Sequence, residues 1–205
     1  MTNVEIIKDY IRLHQSPKRF LHTCGVAGDC VQLSEIFDFS PEKREKLETA
    51  GWLHDITKEL SAKEQEQLCK EFGIPVPLRG YSSPVLHSYT GAYFARKVFP
   101  DIVDDEIFSA IHSHTTGKSN MTLFDMLVCF ADYTEPSRKY EGCKRLRHKF
   151  YSGVTPENRF DLLKECIIES FDMTITSLIK NGDIIDPDTF SARNSLLETV
   201  CSKVR

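Results

Sequence analysis

A recurring helix-start signal constrains this chain more than any other feature. Ser16-Pro17 puts a capping hydroxyl before a proline at the first helical position, and Ser40-Pro41 repeats the device. Ser61-Ala62-Lys63-Glu64 has capping-box form, and Gly73 stands where a C-terminal glycine ends that segment. Ser83-Pro84, Asp104 or Asp105, Thr122 with Asp125, Thr155-Pro156 and Asp186-Pro187 open further segments, and Asn181-Gly182 closes the longest. Between these marks the apolar spacing is helical. Val26, Leu33 and Ile36 form one stripe, and Leu47, Ala50 and Leu53 another. Phe160, Leu163, Ile167, Phe171 and Leu178 keep the late segment one-sided. Alternating strand patterns are scarce. The expected fold is all-α, a bundle of roughly eight or nine helices. Gly73 to Ser82, with its prolines and glycines, reads as a loop near the site.

Composition narrows the function classes. A chain of 205 residues suits one domain with a real core. The net charge is -4, with both signs mixed along the chain. No basic block would hold a nucleic-acid backbone by charge, so no nucleic-acid partner is expected; a local cationic pocket for a small phosphate ligand stays open. Glu5, Lys8 and Asp9 interrupt what would be the apolar core of a signal peptide. No apolar run approaches the ~20 residues of a membrane span, and no membrane partner is expected. The seven cysteines are odd in number and lack any Cys-x-x-Cys, which argues against a disulfide framework and a thiolate zinc site. Reduced thiols in the cytoplasm are the simplest reading.

Chemistry enters with His54-Asp55, in the stretch Leu53-His54-Asp55-Ile56-Thr57-Lys58. His22 lies upstream, His87 and His114 downstream, and Asp132 follows in Ala131-Asp132-Tyr133. Imidazole and carboxylate donors suit zinc, iron, manganese and related divalent ions. Neighbours on a helix point ~100° apart, so other helices must complete any cage, as they do in bundle cores. His22 and Asp132, with His54 and Asp55, suit a first metal. His87 and His114 suit a second, and the two oxygens of Asp55 suit a bridge. Any one of these histidines alone is more often an ordinary core or surface residue, and Asp132 alone more often a cap or turn. The joint order carries the reading. His14, His112 and His148 keep the ordinary reading. His112 and His114 are two apart and point to different sides, so one of them reaches the site.

The order His, His-Asp, Asp resembles that of the HD-domain metal-dependent phosphohydrolases. Ser113-His114-Thr115-Thr116-Gly117, the run from Ala131-Asp132-Tyr133-Thr134 to Glu135-Pro136-Ser137-Arg138, and Leu86-His87 followed by Gly91-Ala92 tighten the match. Together with the His54-Asp55 string they resemble the YqeK-type bacterial proteins, the symmetrical diadenosine tetraphosphate hydrolases, from about Val4 to about Ile179. The resemblance implies a single HD domain over residues 1–205, with the metal-site core at about 16–140 and C-terminal helices at about 155–205. It implies a divalent metal pair, iron favoured and manganese, cobalt or zinc possible. His22, His54, Asp55, His87, His114 and Asp132 take the ligand roles. The small-molecule substrate implied is a dinucleoside polyphosphate, cleaved to two ADP by a metal-bridged hydroxide. One position departs from the pattern: the family's usual arginine three residues after the first histidine is Gly25 here. The tail from about Asp186 lies beyond the match and carries no functional claim.

Around the ligands, Asp55 and Lys58 are read as catalytic. Lys58 would meet a phosphate or hold a ligand carboxylate, against the plain reading of a solvated helix lysine. Arg138 would grip phosphate through its fork. Thr115, Thr116 and Gly117 form a polar loop suited to hydroxyl and N–H contacts, and Arg19, one turn before His22, faces either pocket or surface. Lys118 reads as a surface lysine and Cys129 as buried packing. Ligating histidines must be neutral, so activity should fall in acid. The competing readings are another HD-type nucleotide phosphohydrolase (a nucleotidase or alarmone hydrolase), a metal-binding nucleotide sensor without turnover, and a helical scaffold with accidental histidines.

Overall fold

The computed structural model describes residues 2–75 and 83–201, with the side chains of Ser83, Pro84 and Cys201 outside that description. Among these residues, ten helices follow in chain order: α1 (Asn3–His14), α2 (Pro17–Ile36), α3 (Pro41–Leu53), α4 (Ala62–Phe72), α5 (Ser83–Val98), α6 (Asp105–Ser113), α7 (Leu123–Thr134), α8 (Glu141–Gly153), α9 (Arg159–Asn181) and α10 (Pro187–Cys201). No strand occurs among the described residues.

The starts follow from local hydrogen bonding. Ser16 and Ser40 accept from the backbone N–H three residues on, each ahead of a proline. Ser61 with Glu64, and Thr122 with Asp125, close full capping boxes. Asp104 accepts from the Ile107 N–H at 2.9 Å. These bonds satisfy N–H groups that a helix start otherwise leaves without partners.

Among the described residues the count of ten exceeds the expected eight or nine because two helices lie outside the marked starts: α1, which opens on an unmarked Thr2–Glu5 capping box, and α8, which begins without a mark. Tyr140 holds its N-cap position and makes no side-chain capping bond. The late helix also starts later than Thr155-Pro156 suggests. There the Thr155 N–H donates to Asn158 Oδ1 at 2.8 Å, forming a turn, and α9 begins at Arg159. Gly73, at φ +65°, ends α4 in the left-handed conformation. Most of the expected loop from Gly73 to Ser82 lies outside the described residues, as does the tail beyond residue 201.

One apolar core runs from Ile7 and Ile11 through Leu33, Leu47, Phe124 and Phe150 to Leu163 and Leu196. Burying a side chain of this size is worth about 1.5–3 kcal/mol. α2 and α3 form the most extensive helix pair. α7 packs on α2, α3, α6, α8 and α9, and α10 packs on α9. Most of α7 is buried, as befits a central helix. No helix among the described residues is long and apolar enough to cross a membrane. The six described cysteines are unpaired.

Candidate metal centre

Five helices bring the sequence's histidines and aspartates to one point. His22 sits in α2, His87 in α5 and Asp132 in α7, while His54 and His114 occupy the C-cap positions of α3 and α6. After His54 the chain tightens. The N–H groups of Ile56, Lys58 and Leu60 each bond to the carbonyl three residues back, at 3.1 Å. Both neighbours, His54 and Asp55, are thereby buried and face the same centre.

Two groups result. The donor atoms of His22, His54 and Asp132 lie within 4.8 Å of one another, and so do those of Asp55, His87 and His114. In the first, His22 Nε2 is 3.2 Å from His54 Nε2 and 3.1 Å from Asp132 Oδ1. In the second, His87 Nε2 is 3.0 Å from His114 Nε2. Asp55 joins them. Its Oδ2 stands 3.4 Å from His22 and 3.3 Å from His54, and its Oδ1 3.1 Å from His87.

The ring orientations fit a cation. His54 Nδ1 is 2.7 Å from the Gly51 carbonyl, and His114 Nδ1 is 2.7 Å from the Ile111 carbonyl. A carbonyl only accepts, so each Nδ1 carries the proton and each Nε2 turns a lone pair to the centre. Nitrogen lone pairs that close repel unless positive charge lies between them. Nitrogen and oxygen donors together suit a divalent transition ion.

Electrostatics agree. Burial disfavours a charged His22, yet Asp132, Asp55 and Glu135 outweigh it and push its pKa up to about 10. Burial opposes ionisation of Asp55 and Asp132 as well. His54, His22 and His87 nonetheless hold Asp55 well below the usual carboxylate range, and Arg138, His22 and His54 do the same for Asp132. Burial, with His87 and His54 beside it, pushes His114 down to about 3. The cavity draws in positive charge and keeps His114 neutral.

The remaining candidates surround this centre. Arg19 donates to Asp55 Oδ2 at 2.6 Å, and Arg138 to Asp132 Oδ1 at 2.6 Å. Both line a cleft of about 750 Å³, with Lys18, His22, Lys139 and Tyr140 also on its walls. Lys58 Nζ is 3.2 Å from His87 Nδ1, and burial lowers its pKa. Thr115 Oγ1 is 3.2 Å from His87 Nε2. Thr116 is buried and donates to the Gly117 carbonyl at 3.0 Å, and Gly117 packs towards Ala192 and Phe171. Lys118 is paired with Asp125 at 2.9 Å, so it is no free surface lysine. His112 stacks on Phe108 beside Tyr89, outside both groups, while His14 and His148 are exposed. Cys129 is buried.

Sequence reasoning missed Glu135. It is fully buried, and its Oε1 lies 3.0 Å from His22 Nδ1. Its string was singled out, but its partner is 113 residues away. No local spacing signals that pairing.

Comparison with known proteins places this geometry in a lineage. The HD domain family model matches residues 19–137. A Halalkalibacterium halodurans protein named bis(5'-nucleosyl)-tetraphosphatase, symmetrical, is 31% identical over 91% of this chain and 93% of its own length. A Bacillus subtilis protein of the same name is 29% identical over 87% and 89%. A crystal structure from Clostridium acetobutylicum, described as a predicted HD superfamily hydrolase involved in NAD metabolism, superimposes with a TM-score of 0.82 at 31% identity, covering 97% of this chain and 99% of that one. A family built to hold divalent metal accounts for donors converging from five helices, and this chain belongs to it: the HD-domain family, in its YqeK-type branch of phosphohydrolases.

Proposed function

We propose that this chain cleaves diadenosine tetraphosphate at the middle of its phosphate bridge, releasing two ADP, with two divalent metal ions held by His22, His54, Asp55, His87, His114 and Asp132. The observation that carries the reading is the two-sided Asp55, one oxygen turned to each donor group, beside a cleft whose walls carry Lys18, Arg19, Arg138 and Lys139 alongside Glu59 and Glu135. The activity in the names of the Halalkalibacterium and Bacillus relatives supports the same substrate. Iron is the favoured metal, and manganese, cobalt and zinc suit the same donors. Bound metal supplies Lewis acidity, which makes water a nucleophile near neutral pH and neutralises phosphoryl oxygens.

The chain's own residues do the rest. Asp55 sets the spacing of the two donor groups. Arg19 and Arg138 each hold a carboxylate oxygen and keep fixed positive charge in the cleft, where an inner phosphate enters. Lys58 and Thr115 flank His87 and meet the same phosphate. Thr116 and Gly117 shape the turn that presents Thr115. The protein operates on a free dinucleotide, without nucleic acid or membrane, in the cytoplasm.

Product analysis is the test. Protein loaded with iron or manganese should convert diadenosine tetraphosphate to ADP alone; AMP with ATP would overturn symmetric cleavage. Asp55→Ala should lose metal and lower kcat/KM by roughly a thousandfold or more, with the helical circular-dichroism signal kept. Undiminished turnover in that variant would remove the metal mechanism.

A further inference from the structure

One buried carboxylate beside the centre belongs to neither donor group. Glu135, at the C-terminal end of α7, is 0% exposed. Its carboxylate faces His22 Nδ1 at 3.0 Å and accepts from the Ser137 backbone N–H at 2.6 Å and hydroxyl at 2.5 Å. The turn that carries it is clamped from α8. The Arg147 guanidinium donates to the carbonyls of Thr134 and Glu135, and to that of Arg138 at 3.4 Å.

The carboxylate fits because position 25 has no side chain. A Cβ built on Gly25 would lie 2.5 Å from Glu135 Oε2 and 3.3 Å from its Cδ. Gly25 is almost one helical turn after His22, so ligand and gap share a face of α2. An arginine at this position would have to pass through the volume that Glu135 fills. His54 and His114 are oriented differently, by backbone carbonyls. A carboxylate is the stronger acceptor, and it makes the imidazole it holds a better donor to metal.

We infer that Glu135 is a positioning residue for the metal centre, seated by the missing side chain at Gly25, and that it fixes the His22 ring so that Nε2 faces Asp132 and Asp55. The inference rests on the metal reading of the two donor groups.

Release of manganese to a chelator from the loaded full chain tests it, with thermal unfolding followed in parallel. The variants are Glu135→Ala, Glu135→Gln, Gly25→Ala and the double Gly25→Ala/Glu135→Ala. Glu135→Ala should loosen metal by roughly 10–100-fold. Glu135→Gln keeps an accepting oxygen and should fall between it and the parent. Gly25→Ala should loosen metal as Glu135→Ala does, although alanine is the better helix former. The double variant should be no worse than Glu135→Ala alone, because both changes remove one interaction. Unchanged release in Gly25→Ala and Glu135→Gln from a parent that holds metal would overturn the positioning role alone, as would losses that multiply in the double variant. A parent that retains no metal would overturn the metal reading and this inference with it.

Discussion

If His22 holds metal as proposed, a proton and the ion compete for one of its nitrogens. The surrounding carboxylates hold that proton up to a pH of about 10 in the metal-free chain, against the cost of burial. In that chain the protonated ring's contribution to folding is complete below its ordinary pKa of 6.5 and is lost as pH rises through about 10. Metal uptake must displace the proton, so binding should tighten as pH rises and release protons. Calorimetric titration with manganese between about pH 6.5 and 8.5, in buffers of different ionisation heat, should show affinity rising by up to about tenfold per pH unit. A flat profile would mean that His22 binds metal without giving up a proton. The six donor residues stood out in the sequence because their types and order are specific to metal chemistry. Gly25 stood out only as a departure from the family pattern and Glu135 only as part of a matched string; their contact did not, because a carboxylate against a glycine on another helix leaves no trace in local spacing.

Among the elements, most helices with a capping residue were legible, although the Thr2–Glu5 capping box of α1 went unmarked. Ser16, Ser40, Ser61, Asp104 and Thr122 mark their helices through bonds spanning three residues, a distance that sequence contains. The start of α8 has no such bond, and its amphipathic face alone did not announce it. The C-terminal helix was left without a role on sequence, yet it buttresses the loop after His114. Gly117 stands at φ +67°, and a Cβ there would lie 2.6 Å from both Ala192 Cβ and Phe171 Cζ. Ser195 Oγ accepts from the Asn120 N–H at 3.0 Å, a second tie between α10 and that loop. Gly117→Ala combines backbone strain with overpacking and should cost on the order of 2 kcal/mol. For a chain of this size that lowers Tm by roughly 4–8 °C. Thermal unfolding within about a degree of the parent would show that α10 yields to the extra methyl group.

Across the whole molecule the charge distribution opposes the net charge. A chain at -4 repels a polyphosphate at long range, while on the walls of one cleft Lys18, Arg19, Arg138 and Lys139 outnumber Glu59 and Glu135. Such local attraction acts over about a Debye length, which shrinks from ~14 Å at ~50 mM salt to ~7 Å at ~200 mM. KM for diadenosine tetraphosphate should therefore rise several-fold over that range while kcat holds, because salt screens capture and leaves the buried centre untouched. A KM indifferent to salt, measured by initial rates, would remove the electrostatic role of the cleft wall. By itself the sequence determined the helical class, most helix starts and the residue types of a metal-handling centre, since caps, periodicity and ligand chemistry are local or compositional. Only the tertiary structure decided that Asp55 turns an oxygen to each donor group, that Glu135 fills the space left at Gly25, and that α10 braces the His114 loop. Those facts depend on distances between helices far apart in the chain, and packing sets such distances.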